Sequence, residues 1–598
     1  MLTILLNWIY IFVTTYIVGH AALHFFAERF HYEKKLRRLP VLLTGFAIVT
    51  AYAGYFSIFH GVGALANIIL LILCILLIAY EWPYYRKIQV KLLTYTKNLK
   101  HYFSGQDQKE GSGMGSGMIL LQLLRFGVGV LLIFAILFFT CYGTFHSDTG
   151  LYHAQSIRWI EEYGVIKGLG LLQNRFGYNS SFFCVSALYS FVFSGQSLHG
   201  VNGYMAALVT LYAYFCITNA FLHRSFGKLH TVVAFAPILY TVIGGLELIS
   251  PTTDAILLYL VFAIAIRWTK LIDEEEQDVL PFALLCVLCA FLVSVKLSVG
   301  VLILLTVDVA VRLIRQKKVK VIFCSLGSGL VLILPYFIRN VIISGWLIYP
   351  FPAIDLFDLP WKIPEVSARN DAAEITTWAR YVKDAEQIDQ SVLEWAPVWW
   401  RGQSSMERLF SLTALVSLVI GLVWCIVALI RLIRNRKQTW NLKLQRMLFF
   451  ELVIMLSFVF WFFSAPLIRY GYLYLLLLPL TTVAVLMNDP AVPSTLQILI
   501  PGIITCMLLY PTGNLMYHDI SYMHHNWSRK YAVHQKEYPQ AEVLEKSYAG
   551  TTFYYPKDPG NNVWYDAFPS VLFEENFTFA EPLGDSVADG FVIREQTR

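Results

Sequence analysis

Charge is the scarcest property of this sequence. Of its 598 residues only 14% are Asp, Glu, Lys or Arg, where an ordinary soluble domain carries about 25%, so a solvated globular surface is excluded. The net charge of +6 is spread over short loops, which excludes the dense basic face that nucleic acid requires. Nine cysteines are present and all lie in or beside apolar segments, so no disulfide framework is implied. Cys286 and Cys289 form a CxxC, but on an apolar helix without further ligands they are packing residues. There is no evident internal repeat and no matched pair of Gly/Pro-interrupted spans, the signature of many transporters.

What is abundant is apolar sequence: 57% of residues are hydrophobic and mean hydropathy is +0.57. Apolar runs of ~20 residues are the length that crosses a bilayer, and only helices or closed barrels satisfy their backbone there. The expected fold is an all-α polytopic membrane protein with about fourteen crossings, juxtamembrane helices in a first outer loop, and a small external C-terminal domain with some β structure.

The first span, near Thr3 to Ala27, has no basic residue before it and Arg29, Lys34, Lys35, Arg37 and Arg38 after it. That asymmetry places the N-terminus outside. Pro40–Phe59 and Gly61–Tyr80 complete a three-helix appendage over residues 1–100, and the Gly/Ser-rich stretch at 101–117 reads as a cytoplasmic linker. The main membrane domain is expected over 118–511, with outer loops at 143–200 and 344–408. Within it, Ser181–Phe193 is too short to cross and reads as re-entrant or juxtamembrane. Thr231–Ile249 is expected to cross. Leu280–Val311 is too long for one helix, and the break SVKLSVG sets Lys296 at an outer turn, because a lysine at mid-bilayer costs about 2.5–3.5 kcal/mol. Residues 512–598, polar and aromatic-rich with Pro/Gly turns, form the external domain. An even number of crossings leaves both termini outside. Asn526-Trp527-Ser528 and Asn576-Phe577-Thr578 match the glycosylation pattern, relevant only in a eukaryotic secretory host.

The first outer loop, from His146 to Ser181, concentrates the polar chemistry. His146, Asp148, His153, Arg158, Glu161, Glu162, Lys167 and Arg175 crowd into it, and loops on rigid scaffolds are where binding and catalysis gather. Leu151, Ala154, Ile157 and Ile160 recur every third position, giving a short amphipathic helix lying on the membrane. The plain alternative is that Ser147 or Asp148 caps that helix. Asp254, in SPTTD, reads as a cap of the helix that follows, with lining a cavity as the alternative. His146, Asp148 and His153 show no fourth ligand, so no metal is expected.

Four stretches together resemble the GT-C superfamily of membrane glycosyltransferases, the group of protein O-mannosyltransferases and aminoarabinose transferases, and more narrowly its large bacterial multi-pass relatives. They are DTGLYHAQSIRWIEEYG, VSVKLSVG, PYFIRNVIISGWLIYP and FWFFSAPLIRYGY, and they cover roughly Met118 to Met487. The resemblance implies a GT-C-like core and an inverting sugar transfer from a polyprenyl-phosphate-linked donor to a glycan, lipid or protein acceptor, on the outer face of the plasma (inner) membrane. It implies Asp148 as the catalytic base, with His153, Arg158, Glu161, Arg175, Lys296, Arg339, Arg469 and Tyr470 binding substrate, the cations taking the lipid phosphate. No cofactor and no nucleic-acid partner are implied. Two features depart from the family pattern: Thr149 stands where many relatives carry a second acid, and Leu467-Ile468 where they often carry Asp-Pro. A lipid-linked oligosaccharide flippase and a surface-polysaccharide polymerase are the competing functions.

Overall fold

The computed structural model describes residues 1–103, 116–434 and 442–594. The Gly/Ser-rich linker falls, at 104–115, outside the described residues. Among those described, 11 helices are long and apolar enough to cross a membrane, or 12 if the bent pair Ala64–Tyr80 and Trp82–Lys91 is one span. The chain is a multi-pass membrane protein. The spans are α1 (Leu2–Arg29), α2 (Arg38–Phe56), α3 (Leu120–Tyr142), α4 (Val201–Leu222), α5 (Thr253–Asp273), α6 (Leu297–Arg315), α7 (Val319–Ser344), α8 (Ser405–Arg434), α9 (Leu442–Ser464), α10 (Ile468–Asn488) and α11 (Ser494–Asn526).

The expected fourteen crossings exceed the 11 or 12 helices that are long enough to span, and the difference falls at Leu280–Val295, which has 16 residues, and at two local breaks. Thr231–Ile249 is interrupted at Ala234 into Leu229–Val233 and Phe235–Ile243. Pro237 lacks the N–H that the Val233 carbonyl would need, so the helix stops there. After Tyr80 the chain turns by 83° into a new helix at Trp82, and Pro83 at its first turn has no hydrogen bond to lose. Ser181–Tyr189 is a short buried helix, in keeping with an element that does not cross. Conversely, Pro511 does not end the last span, and α11 runs on to Asn526, since a long apolar helix tolerates one missing N–H.

Two helices form the axis. The most apolar stretch of α5 is 94% buried and that of α10 is 83%, against 28% for α7 and α11. The α5 sequence AILLYLVFAIAI, up to Arg267, is apolar on every face, as a helix enclosed by other helices must be. α1 and α2 cross at Gly19 and Gly45, where a Cβ on either residue would strike the other helix's backbone; small residues of this kind let membrane helices touch. Met1 donates through its amino group to Tyr531 O at 2.7 Å, tying α1 to the chain beyond α11.

The C-terminal region carries two antiparallel pairs, Val543–Tyr548 with Thr551–Pro556 and Ala580–Pro582 with Phe591–Ile593. Ala549 and Gly550 both adopt positive φ, 53° and 67°, as a tight two-residue hairpin turn demands. This region sits on the polar loop that follows α3. Phe591 N donates to Lys167 O at 2.9 Å, and Val563 N and Trp564 N both donate to Gly150 O at 3.0 Å.

Candidate functional site

Four chain segments deliver charged side chains to one end of the bundle. Asp148 follows α3 in the loop, where His146 N donates to Ser250 Oγ at 2.7 Å and Thr144 N to Leu246 O at 2.7 Å. Asp254 enters in the first turn of α5, from a turn pinned by Asn202 Nδ2 on Ser250 O and Thr252 O at 2.7 and 3.0 Å. Lys296 is the single extended residue (φ −160°, ψ 131°) between the helix Leu280–Val295 and the 3-10 turn that opens α6. Arg469 and Tyr470 lie in the first turn of α10.

Arg469 is the hub. Its Nη2 donates to Asp148 Oδ2 at 2.8 Å, its Nε lies 3.0 Å from Asp254 Oδ2, and its Nη1 abuts the His146 ring. Lys296 pairs with Asp254 Oδ1 and places its ammonium 3.5 Å from the centre of the Tyr470 ring. The cluster thus holds two carboxylates and two permanent cations. Exposure grades across it: the Asp254 side chain is 7% exposed, whereas Asp148, Arg469 and Lys296 are 25%, 23% and 22%. Asp254 is an internal anchor, and the other three present atoms that a ligand can reach.

The local electrostatics fix the protonation states. Burial pushes the Asp148 carboxyl up, but the Arg469 guanidinium, with His153 and His146 beside it, outweighs this and holds it at about 2. Burial lowers His153 to about 3, and lowers His146 with Arg469 adding to the effect. Both imidazoles are therefore neutral near pH 7. The His153 ring packs against Tyr152 and Phe183 with centroids 4.3 and 5.3 Å away, and its Nδ1 is buried without a hydrogen-bond partner. Among the described residues no three His, Cys, Asp or Glu side chains group to hold a metal ion.

Asp148, His153, Lys296, Arg469 and Tyr470 therefore converge, while four other residues read as substrate-binding lie elsewhere. Arg339 is 3% exposed and sits between α2 and the loop, donating to Ser57 Oγ at 2.7 Å and Asn179 Oδ1 at 3.2 Å. Its register on α7 turns it into the protein, away from the span-end cluster. Arg158 donates to the carbonyls of Tyr565 at 2.8 Å and Asp566 at 3.0 Å and stacks on Tyr565 and Phe568. Glu161 accepts from the Tyr565 hydroxyl. Both fasten the C-terminal region to the loop. Arg175 is half-buried near Asp371.

Two participants were readable only in part. Asp254 makes no side-chain capping bond, and its ion pairs show that the acid in SPTTD serves the cluster. His146, three residues beyond Gly143 in a polar loop, was visible as a candidate but not its contact with Arg469.

A family model described as a domain of unknown function (DUF8201) matches residues 1–105 and 116–476. The match takes in α1 and α2 together with the cluster and stops within α10, short of α11 and the β pairs. No curated protein and no solved structure matches the chain.

Proposed function

The chain belongs to this family of unknown function, and from the geometry of its site we propose that it is a GT-C-type membrane glycosyltransferase using a polyprenyl-phosphate-linked sugar donor. The observation that carries the proposal is the sharing of Arg469 by Asp148 and Asp254, with Lys296 alongside, at the ends of the two central helices. A lipid-linked donor brings an anionic phosphate to this depth, and guanidinium and ammonium groups are the partners it needs.

Asp148 clamped by Arg469 is a weak base. When donor phosphate arrives it competes for the same guanidinium, and as Arg469 turns to the phosphate oxygens the field that holds Asp148 ionised weakens. Asp148 regains basicity at the moment an acceptor is to be deprotonated. In the transfer, the acceptor oxygen forms a bond to the anomeric carbon on the face opposite the lipid phosphate. The bond from that carbon to the phosphate oxygen breaks, the electron pair leaves with the lipid phosphate, and the acceptor proton passes to Asp148. Single displacement inverts the anomeric centre. Asp254 stays paired with Lys296 and keeps both cations aimed at the leaving group.

The proposal assigns the cluster to the outer face of a plasma membrane, with cell-envelope glycans, lipids or proteins as acceptors. Its test is Asp148→Asn in purified full-length protein supplied with radiolabelled polyprenyl-linked sugars. Loss of transfer by about 10²–10⁴-fold, the usual worth of a general base, at unchanged expression supports it. Undiminished transfer removes it. Movement of the donor across vesicles without sugar transfer indicates a translocator instead.

A further inference from the structure

A large apolar cavity lies at the other end of the bundle. About 510 Å³ in volume, it is walled by apolar side chains of α1 and α2 on one side, and of α5, the helix Leu280–Val295 and α7 on the other. Along α5 it is separated from Asp254 by the distance to Arg267, about 20 Å at 1.5 Å per residue. It therefore belongs to the opposite leaflet from the candidate active site. Phe26, Phe30, Leu284 and Leu332 are among the walls, and Lys35, Arg37 and Arg267 are the lining cations among the described residues.

Arg267 decides what this cavity holds. It is 5% exposed, makes no ion pair with any described carboxylate, and its Nε is buried without a hydrogen-bond partner, the Tyr212 hydroxyl being a neutral neighbour of the guanidinium. Nearby charges are otherwise matched: Lys34 donates to Glu276 Oε2 at 2.7 Å and Arg37 lies 3.9 Å from Glu274. Lys35, exposed at the rim, has no such partner among the described residues. A buried guanidinium without a counter-charge is costly. An apolar chamber with uncompensated cations at one end fits a ligand with the reverse arrangement, a hydrocarbon chain and an anionic head. The volume falls within the range of about 300–1,000 Å³ typical of ligand pockets.

We propose that this cavity is a binding site for an anionic glycerophospholipid of the bilayer, its acyl chain between α2 and α7 and its phosphate on Arg267 and Lys35. A purely hydrocarbon occupant leaves Arg267 without a counter-charge, and a zwitterionic lipid brings an ammonium group toward a rim already lined with cations. The site goes beyond the transferase reading and does not depend on it.

The experiment is native mass spectrometry of the purified full-length protein titrated with phosphatidylglycerol or phosphatidylethanolamine, for wild type, Arg267→Gln and Gly327→Phe. Gly327 lines the cavity, and nothing lies within 4 Å of a Cβ placed there, so Phe fills the space without striking neighbouring atoms at its root. Wild type is expected to retain one phosphatidylglycerol preferentially, and each variant to weaken that binding at least tenfold while phosphatidylethanolamine adducts are unchanged. Equal retention of the two lipids by wild type, or undiminished phosphatidylglycerol binding by Gly327→Phe, overturns the proposal. Gly327→Phe leaves Arg267 in place, so the result stands even if Arg267→Gln folds poorly. Sugar transfer measured on the same samples separates failure of this site from failure of the transferase reading.

Discussion

Arg469 Nη2 lies 2.8 Å from Asp148 Oδ2 across 321 residues of sequence. The bond joins the loop after α3 to the first turn of α10, so one guanidinium both positions the loop and sets the charge state of its carboxylate. Asp254 on its Nε edge stops Arg469 from turning wholly toward Asp148.

Arg469→Lys keeps the charge but cannot serve two carboxylates at fixed angles. Losing one charge-assisted hydrogen bond, about 1.5–3 kcal/mol, is expected to lower sugar transfer by about 10–100-fold with the protein still folded. Turnover measured beside the melting temperature checks this, and wild-type turnover in the lysine variant would refute the hub role.

Asp254→Asn strips Lys296 of its counter-ion in a largely enclosed position. A buried charge left unpaired costs about 3–5 kcal/mol, so the variant is expected to melt well below wild type. Asp254→Asn with Lys296→Met is expected to recover most of the loss, because the pair is removed together. If the double variant is less stable than wild type by the sum of the two separate losses, the residues are not coupled.

The pH profile follows from Asp148. Its carboxyl is held at about 2 rather than 3.8. Its contribution to stability is therefore present above pH 3.8 and lost as the pH falls toward 2. In the ligand-free protein it is ionised throughout pH 5 to 8, so on the proposed transferase reading kcat/KM in a Glu161→Gln background is expected to show no acid limb above pH 4. The acid limb of kcat should lie higher, because bound phosphate draws Arg469 away. An acid limb in kcat/KM centred between pH 5 and 7 contradicts this.

Glu161 has the opposite sign. Burial raises its carboxyl from 4.5 to about 7, against the pull of Ser190, Tyr565 and Arg158. The folded state binds the proton more tightly than the unfolded one, so stability is highest below pH 4.5 and declines until about pH 7, by roughly 3 kcal/mol. Hydrogen exchange at Val563 and Trp564, which bond to Gly150 O, is expected to quicken from pH 5 to 8 beyond the intrinsic rate. Glu161→Gln should abolish the excess; an equal excess in that variant would assign it to another group.

Arg339 bridges Ser57 and Asn179 inside the protein. Arg339→Met is expected to lower the melting temperature while the folded fraction keeps its KM for donor. A rise in KM without a fall in stability would return Arg339 to the substrate site.

The sequence by itself determined the membrane class, most spans, the polar loop after α3 and the break at Lys296, because hydropathy and helix breaking are written within about 20 neighbouring residues. It also singled out Asp148 and Arg469, each by its position at a span end. Only the tertiary structure decided which charges meet. Arg339 and Arg469 have the same local look, a guanidinium near the end of an apolar helix, yet one is enclosed beside Ser57 and the other joins two carboxylates. Hydropathy does not distinguish a face toward lipid from a face toward another helix. The axial place of α5 and α10 and the joining of Arg158 and Glu161 to the C-terminal region therefore came from packing between segments hundreds of residues apart, whereas the break within Thr231–Ile249 has a local cause in Pro237.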